Sequence, residues 1–261
     1  MGQLQADAGR RMRTAAYGVV DAAFAGRGVP RTVNGERLRF PARWSRYYPS
    51  SYEHAKHRFL VEHCRPGTTA VDGGAHIGLF TVAMARAVGP GGWVLAFEPT
   101  RRTRAILTRT IALNDLGASV TVRPEGLAAT TGRMTLHVGP TEGSNSNSLV
   151  GAPSGSSCEE VPTLALDDLL ATLPSELSCI KLDIEGAELD ALLGAEAVLR
   201  QLRPALCIEV HPRILRSAGR DPEQIRDLLL DLGYSLYDGT HGCSPELFAG
   251  DELFEFQAAV E

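Results

Sequence analysis

The chain has 261 residues, 44% of them hydrophobic and 22% charged, which is enough to bury one large core and too apolar for intrinsic disorder. A formal net charge of −5 argues against the basic patches on which general nucleic-acid binding rests, so the expected partner is a small molecule and not a nucleic acid. No apolar run reaches the roughly 20 residues of a membrane helix, and the N-terminus lacks a signal-peptide core. The expectation is a cytoplasmic protein with no membrane partner. The five cysteines are odd in number with no CxxC pair, so neither a disulfide framework nor a zinc knuckle is indicated, and Cys64, Cys179 and Cys207 are expected in the core. Only Lys56 and Lys181 are lysines, a bias read here as a mark of genome composition.

In chain order, the spacing of Leu4, Met12, Ala16, Val19, Val20 and Phe24 suits an amphipathic helix over residues 2–26 that could cap a sheet or pair with a second subunit. A strand follows over 31–40, then an aromatic stretch (Trp44, Tyr47, Tyr48, Tyr52) and a helix ending near Cys64. These aromatics could line a substrate mouth or simply pack. From residue 68 the pattern is regular: strand 69–72, a Gly-rich turn, helix 77–88, strand 92–97, helix 101–116 and strand 119–122. Such alternation means a parallel sheet with crossover connections. Two further strands, 132–138 and 159–164, flank a polar Gly/Ser loop read as a lid or recognition element. Strand 179–183, a helix over 187–202, strand 205–210 and a helix opened by Asp221-Pro222 resume the rhythm. Strands 234–237 and 253–260 close the chain as an antiparallel hairpin at the sheet edge, with no helix between them.

The informative segment is Val71-Asp72-Gly73-Gly74-Ala75-His76-Ile77-Gly78, at a strand end and opening a helix, where small residues let backbone approach a ligand and helix-start N–H groups can bind an anion. The next strand ends in Glu98, a carboxylate able to accept both hydroxyl hydrogens of an adenosine ribose. NAD and S-adenosylmethionine (SAM) both satisfy those features. Asp72 discriminates between them: a carboxylate there would repel a pyrophosphate and favour the ammonium group of SAM. The glycines also miss the GxGxxG register, and no Tyr-x-x-x-Lys relay is present. An NAD-dependent oxidoreductase is thus the alternative, and a non-catalytic SAM-binding module a third reading.

The segments VDGGAHIGLFT, AFEP, IKLDIEGAELDALLGA and CIEVHP resemble the FkbM family of SAM-dependent methyltransferases, over roughly residues 70–210. The resemblance implies a Rossmann-like class I methyltransferase, α/β, with a seven-stranded, mostly parallel sheet, an antiparallel last strand and helices on both faces. It implies a methyltransferase domain over 67–261 behind an N-terminal extension over 1–66, a possible lid or homodimer element. It also implies O-methylation, with a sugar or polyketide-type natural product as the expected acceptor; N- or carboxyl-methylation stays open. Asp72, Gly73, Gly74, Ala75 and Gly78 would surround the methionine part of SAM, Glu98 and Pro99 the ribose, and Glu125, Gly126 and Leu127 the adenine, with Asp183 beside the cofactor. His76 stands where the family often has Asn.

Methyl transfer to an oxygen needs an aligned acceptor and a route for its proton. Asp183 and Glu185 follow one strand, Glu209 and His211 the next, and such ends open into one crevice. Two mechanisms fit. Asp183, Glu209 and His211 could hold Mg²⁺ and activate the oxygen, or His211 could remove the proton directly beside an orienting carboxylate. Glu185 and Glu188 also suit plain helix N-terminal acids, and Lys181 suits pairing with a carboxylate.

Overall fold

In a computed structural model the described residues are 26–138, 157–173, 176–239 and 241–260, with Tyr17, Val19, Ala23 and Phe24 besides. Of the helix expected over 2–26 only those four residues and Gly26 are described, and the loop expected from residue 139 lies outside the described residues as far as residue 156. The strands run β1 (Val29–Val33), β2 (Glu36–Phe40), β3 (Thr69–Gly73), β4 (Trp93–Phe97), β5 (Val120–Arg123), β6 (Gly126–Leu127), β7 (Gly132–Val138), β8 (Ser157–Leu164), β9 (Leu177–Leu182), β10 (Ala205–Val210), β11 (Ser235–Asp238), β12 (His241–Gly242) and β13 (Phe254–Ala259). The helices are α1 (His54–His63), α2 (Leu79–Val88), α3 (Arg101–Leu113), α4 (Glu188–Leu193), α5 (Glu196–Leu202), α6 (Pro212–Ser217), α7 (Pro222–Asp231) and α8 (Pro245–Ala249).

The main sheet has the order β12-β11-β13-β10-β9-β3-β4-β5. Strands β5, β4, β3, β9 and β10 are mutually parallel, and β13 runs antiparallel between β10 and β11. This is the expected mostly parallel sheet with its last long strand reversed, extended at one edge by the two-residue β12. A strand covered on both faces must bury every side chain, and β3 and β9 do so throughout. Successive residues feed two cores. Ala70, Cys179 and Cys207 point into the one filled by Leu60 of α1, Val82 and Met84 of α2, and Leu107 of α3. Val71, Ile180, Leu206 and Ile208 point into the other, filled by Leu189, Val198, Leu215 and Ile225 of α4 to α7. Helices thus cover both faces, and the three cysteines pack as expected. Among the described residues no helix is long and apolar enough to cross a membrane.

Several sequence expectations need correction. The single strand over 31–40 is a hairpin of β1 and β2; its Asn34-Gly35 turn, with φ of 52° and 83°, takes the left-handed conformation that tight hairpins require. The helix over 187–202 breaks at Gly194, where an added Cβ would stand 2.1 Å from the Ala128 carbonyl oxygen. Strands β7 and β8, which the sequence assigned to no particular sheet, form a separate one with β6. The terminal strands do pair antiparallel, but β13 is interior, and β12 and α8 intervene because Pro245 opens a short helix after Ser244.

Candidate active site

The carboxyl ends of the parallel strands open on a cleft of about 990 Å³, counting its mouth open to solvent. Gly74, Ala75 and His76 reach it from the turn after β3, Glu98 and Pro99 from beyond β4, Gly126 and Leu127 from β6, Asp183 and Glu185 from beyond β9, and Glu209 from β10. Tyr47, Tyr48, Tyr52 and Phe80 form its other wall. Tyr48 Oη lies 3.1 Å from His76 Nδ1, and the Tyr47 and Tyr52 rings each lie 4.9 Å from that of Tyr48, the former edge-on and the latter tilted. The three tyrosines of this wall come from the segment whose role the sequence left open.

Four of the expected site residues are absent from the cleft lining: Asp72, Gly73, Gly78 and His211. Asp72 is fully buried. Its Oδ2 accepts a 2.6 Å hydrogen bond from Thr81 Oγ1, and its Oδ1 lies 3.1 Å from Lys181 Nζ, the residue opposite it on β9. The ammonium that Asp72 meets is therefore the protein's own. Lys181 also donates to the carbonyls of Gly73 and Gly74, each at 3.1 Å, and so clamps the turn. The turn amides expected to bind an anion are likewise engaged internally: Gly74 N and Ala75 N donate to Phe97 O, Gly78 N to Ala75 O, and His76 N to Glu98. Gly74 sits at φ 74° with the Asp183 carbonyl oxygen only 1.9 Å from where a Cβ would be. Gly74→Ala is accordingly expected to cost about 2–4 kcal/mol, from left-handed strain and overpacking together. Thermal unfolding checks this, and an unchanged Tm would show that the turn can move away from β9.

Glu98 holds the turn from the other side. Its Oε2 accepts His76 N at 3.0 Å and its Oε1 accepts Thr100 N at 2.9 Å. Burial pushes its pKa up to about 7 against the pull of those donors and of Arg104. Each oxygen keeps acceptor capacity for a ligand hydroxyl.

Across the cleft, His211 Nδ1 lies 2.9 Å from Glu188 Oε1, and its Nε2 lies 3.4 Å from Glu185 Oε2 and 3.8 Å from Glu209 Oε1. The imidazole thus stands one residue behind the wall that Glu185 and Glu209 form. Burial opposes its charge, but the Glu188 hydrogen bond and the charges of Glu188, Glu185 and Asp183 outweigh that and push its pKa up to about 9. For Glu185, burial outweighs the His211 charge and pushes the pKa up to about 7. Glu188, read from sequence as a helix N-terminal acid, is fully buried and also accepts Gly186 N.

The expected Mg²⁺ ligands do meet: Asp183, Glu209 and His211 can each bring one atom within 4.8 Å of the others. The set does not fit a divalent ion as it stands. Lys56 Nζ lies 2.5 Å from Glu209 Oε2 and 3.7 Å from Asp183 Oδ2, and Lys181 Nζ lies 4.0 Å from Asp183 Oδ2. Burial works against the Asp183 charge, yet Lys181, Lys56 and His211 hold its carboxyl below the usual range. The chain's two lysines are both 1% exposed at this spot. Pairing with a carboxylate was the sequence expectation for Lys181; for Lys56 the sequence carried no signal beyond the rarity of lysine.

A Rossmann-like sheet whose parallel strands end in a cleft lined by Glu98, Asp183, Glu185 and Glu209 has the architecture in which nucleotide-containing cofactors bind. Residues 72–236 match the methyltransferase FkbM domain, and the chain belongs to that family. It is 29% identical, over 209 residues, to methyltransferase sdnD of Sordaria araneosa, an alignment covering 69% of this chain and 78% of that one. Among solved structures it is similar to methyltransferase FkbM from Methylobacillus flagellatus KT (21% identity, TM-score 0.47, 78% of this chain). It spans about half (51%) the length of that protein. It is also similar to an O-methyltransferase from Bacillus cereus in complex with SAH (16% identity, TM-score 0.46, 80% of this chain and 82% of that one).

Proposed function

We propose that this methyltransferase uses SAM and methylates a hydroxyl of an uncharged small molecule. The observation that carries the reading is Glu185 at the cleft wall with His211 and then Glu188 lined up behind it. Glu98 would accept the ribose hydroxyls, Gly74 and Ala75 would pass beside the amino-acid part, and Gly126 and Leu127 would flank the base. SAM, when bound, supplies a methyl group on a positively charged sulfur. Glu185 faces the acceptor and takes its hydroxyl proton. Its pKa near 7 suits that exchange at neutral pH. His211, anchored by Glu188, stands behind Glu185 as a cation and favours its ionised form. This puts His211 one step back from the direct role expected of it.

Six carboxylates line the cleft: Glu53, Glu98, Glu125, Asp183, Glu185 and Glu209. Glu185 offers a phosphorylated or carboxylated acceptor no attraction, whereas a polyhydroxylated one finds hydrogen-bond acceptors and the aromatic faces of Tyr47 and Tyr52. A sugar or polyketide-type alcohol meets both conditions, and its hydroxyl, unlike a carboxylate, needs the proton acceptor that Glu185 supplies. The test is to supply methyl-labelled SAM with a panel of neutral polyols, amines and carboxylates. Label retained through mild alkali in a methyl ether is the expected result. Label released as methanol, or found as methylamine, would overturn the acceptor assignment.

A further inference from the structure

Lys56 belongs to α1, which precedes the residues that match the FkbM domain. Its ammonium is buried among four carboxylates: 2.5 Å from Glu53 Oε2, 2.5 Å from Glu209 Oε2, 3.1 Å from Glu255 Oε2 and 3.7 Å from Asp183 Oδ2. Glu209 and Glu255 face each other directly across β10 and β13, an arrangement of like charges that is unfavourable without a cation between them. Oxygen atoms converging in this way are the donor set of a hard divalent ion. Glu53, Glu209 and Glu255 can bring oxygens within 4.8 Å of one another, as can the Asp183, Glu209 and His211 group. Both groupings share Glu209, and Lys56 already sits on it. An ion in either would stand against an ammonium that has no solvent to retreat into, since Lys56 is 1% exposed.

We propose that the Lys56 ammonium fills the cation position of this carboxylate cluster, so that a side chain of the protein does the organising that a divalent metal would otherwise do. Lys56 is then a positioning residue. It fixes Glu209 and Asp183, and through Glu209 the neighbourhood of His211 Nε2. The occupancy of the cluster rests on these distances. Only its consequence for the acceptor rests on the methyltransferase reading above.

The test is Mn²⁺ uptake by the full chain, followed by the electron paramagnetic resonance signal of the free ion, with S-adenosylhomocysteine (SAH) titrated into the same samples. The native protein is expected to take up no Mn²⁺ and to keep its Tm in the presence of EDTA. Lys56→Met is expected to take up one equivalent and to gain Tm with Mn²⁺, because bound ligand stabilises the fold it binds. Lys56→Arg, which keeps the charge, is expected to take up none, and adding Glu209→Gln to Lys56→Met is expected to abolish uptake. Stoichiometric uptake by the native protein that Glu209→Gln removes would overturn the proposal, and that arm needs no lysine variant to fold. Folded Lys56→Met that takes up no Mn²⁺ would overturn it as well. Failure of SAH to bind would count against the cofactor reading alone.

Discussion

Replacing His211 by glutamine is expected to lower turnover, by at most about the 100- to 10,000-fold that the proton transfer to Glu185 it supports contributes, while SAH binds as it does to the native protein. Glutamine can still hydrogen-bond Glu188, but it carries no charge. The imidazolium is the group that holds the Glu185 pKa down against burial and against Asp183, Glu188 and Glu209, so its loss drives the Glu185 pKa above about 7. The rising limb of the pH–rate profile should therefore move to higher pH in the variant, beyond the drop in its plateau. A purely structural role would lower the plateau and leave the limb where it was. Stability gives a second readout. The pKa of His211 is raised from 6.5 to about 9 on folding, so the stabilisation its proton brings is complete below the unfolded value and disappears as pH rises through the folded one. Native Tm should fall between those limits more steeply than that of His211→Gln, and parallel curves would remove the charge from the explanation.

Replacing Glu98 by alanine is expected to weaken SAH binding by about 1.5–3 kcal/mol, or 10- to 150-fold, the worth of charge-assisted hydrogen bonds lost from a buried site. Part of the effect comes through the turn, because Glu98 also receives the His76 amide. The pH dependence separates the two contributions. Burial raises the Glu98 pKa to about 7, and its ionised form is the better acceptor for two ribose hydroxyls. Native affinity should thus fall as pH drops below about 7, and the alanine variant should lose that dependence. Calorimetry across this range is the check, and equal affinity of the two proteins throughout would remove Glu98 from the ribose site.

The sheet and its crevice were legible because strand–helix alternation and strand-end acids are local signals, and Glu98, Asp183 and Glu209 all reach the cleft. Asp72 was misread because its partner is set by strand order. Only the pairing of β3 with β9, more than a hundred residues on, puts Lys181 opposite it. The same holds for Lys56. Asp72, Lys181 and Glu209 stand at positions of one parity with Ala70, Cys179 and Cys207, hence on the sheet face that α1 and α2 cover, but nothing in the sequence says that α1 lies over that face. Asn34-Gly35 was legible and passed over, since a hairpin turn was written into the residues that were read as one strand. The backbone amides after β3 failed as an anion site for a different reason: Phe97 O and Glu98 had already taken them.

The measurement that bears most directly on the methyltransferase reading is calorimetric titration of the full chain with SAH and, separately, with NAD. One equivalent of SAH bound, with no heat from NAD, is the expected result. Binding of NAD instead, or no binding of SAH by protein that is demonstrably folded, would contradict it.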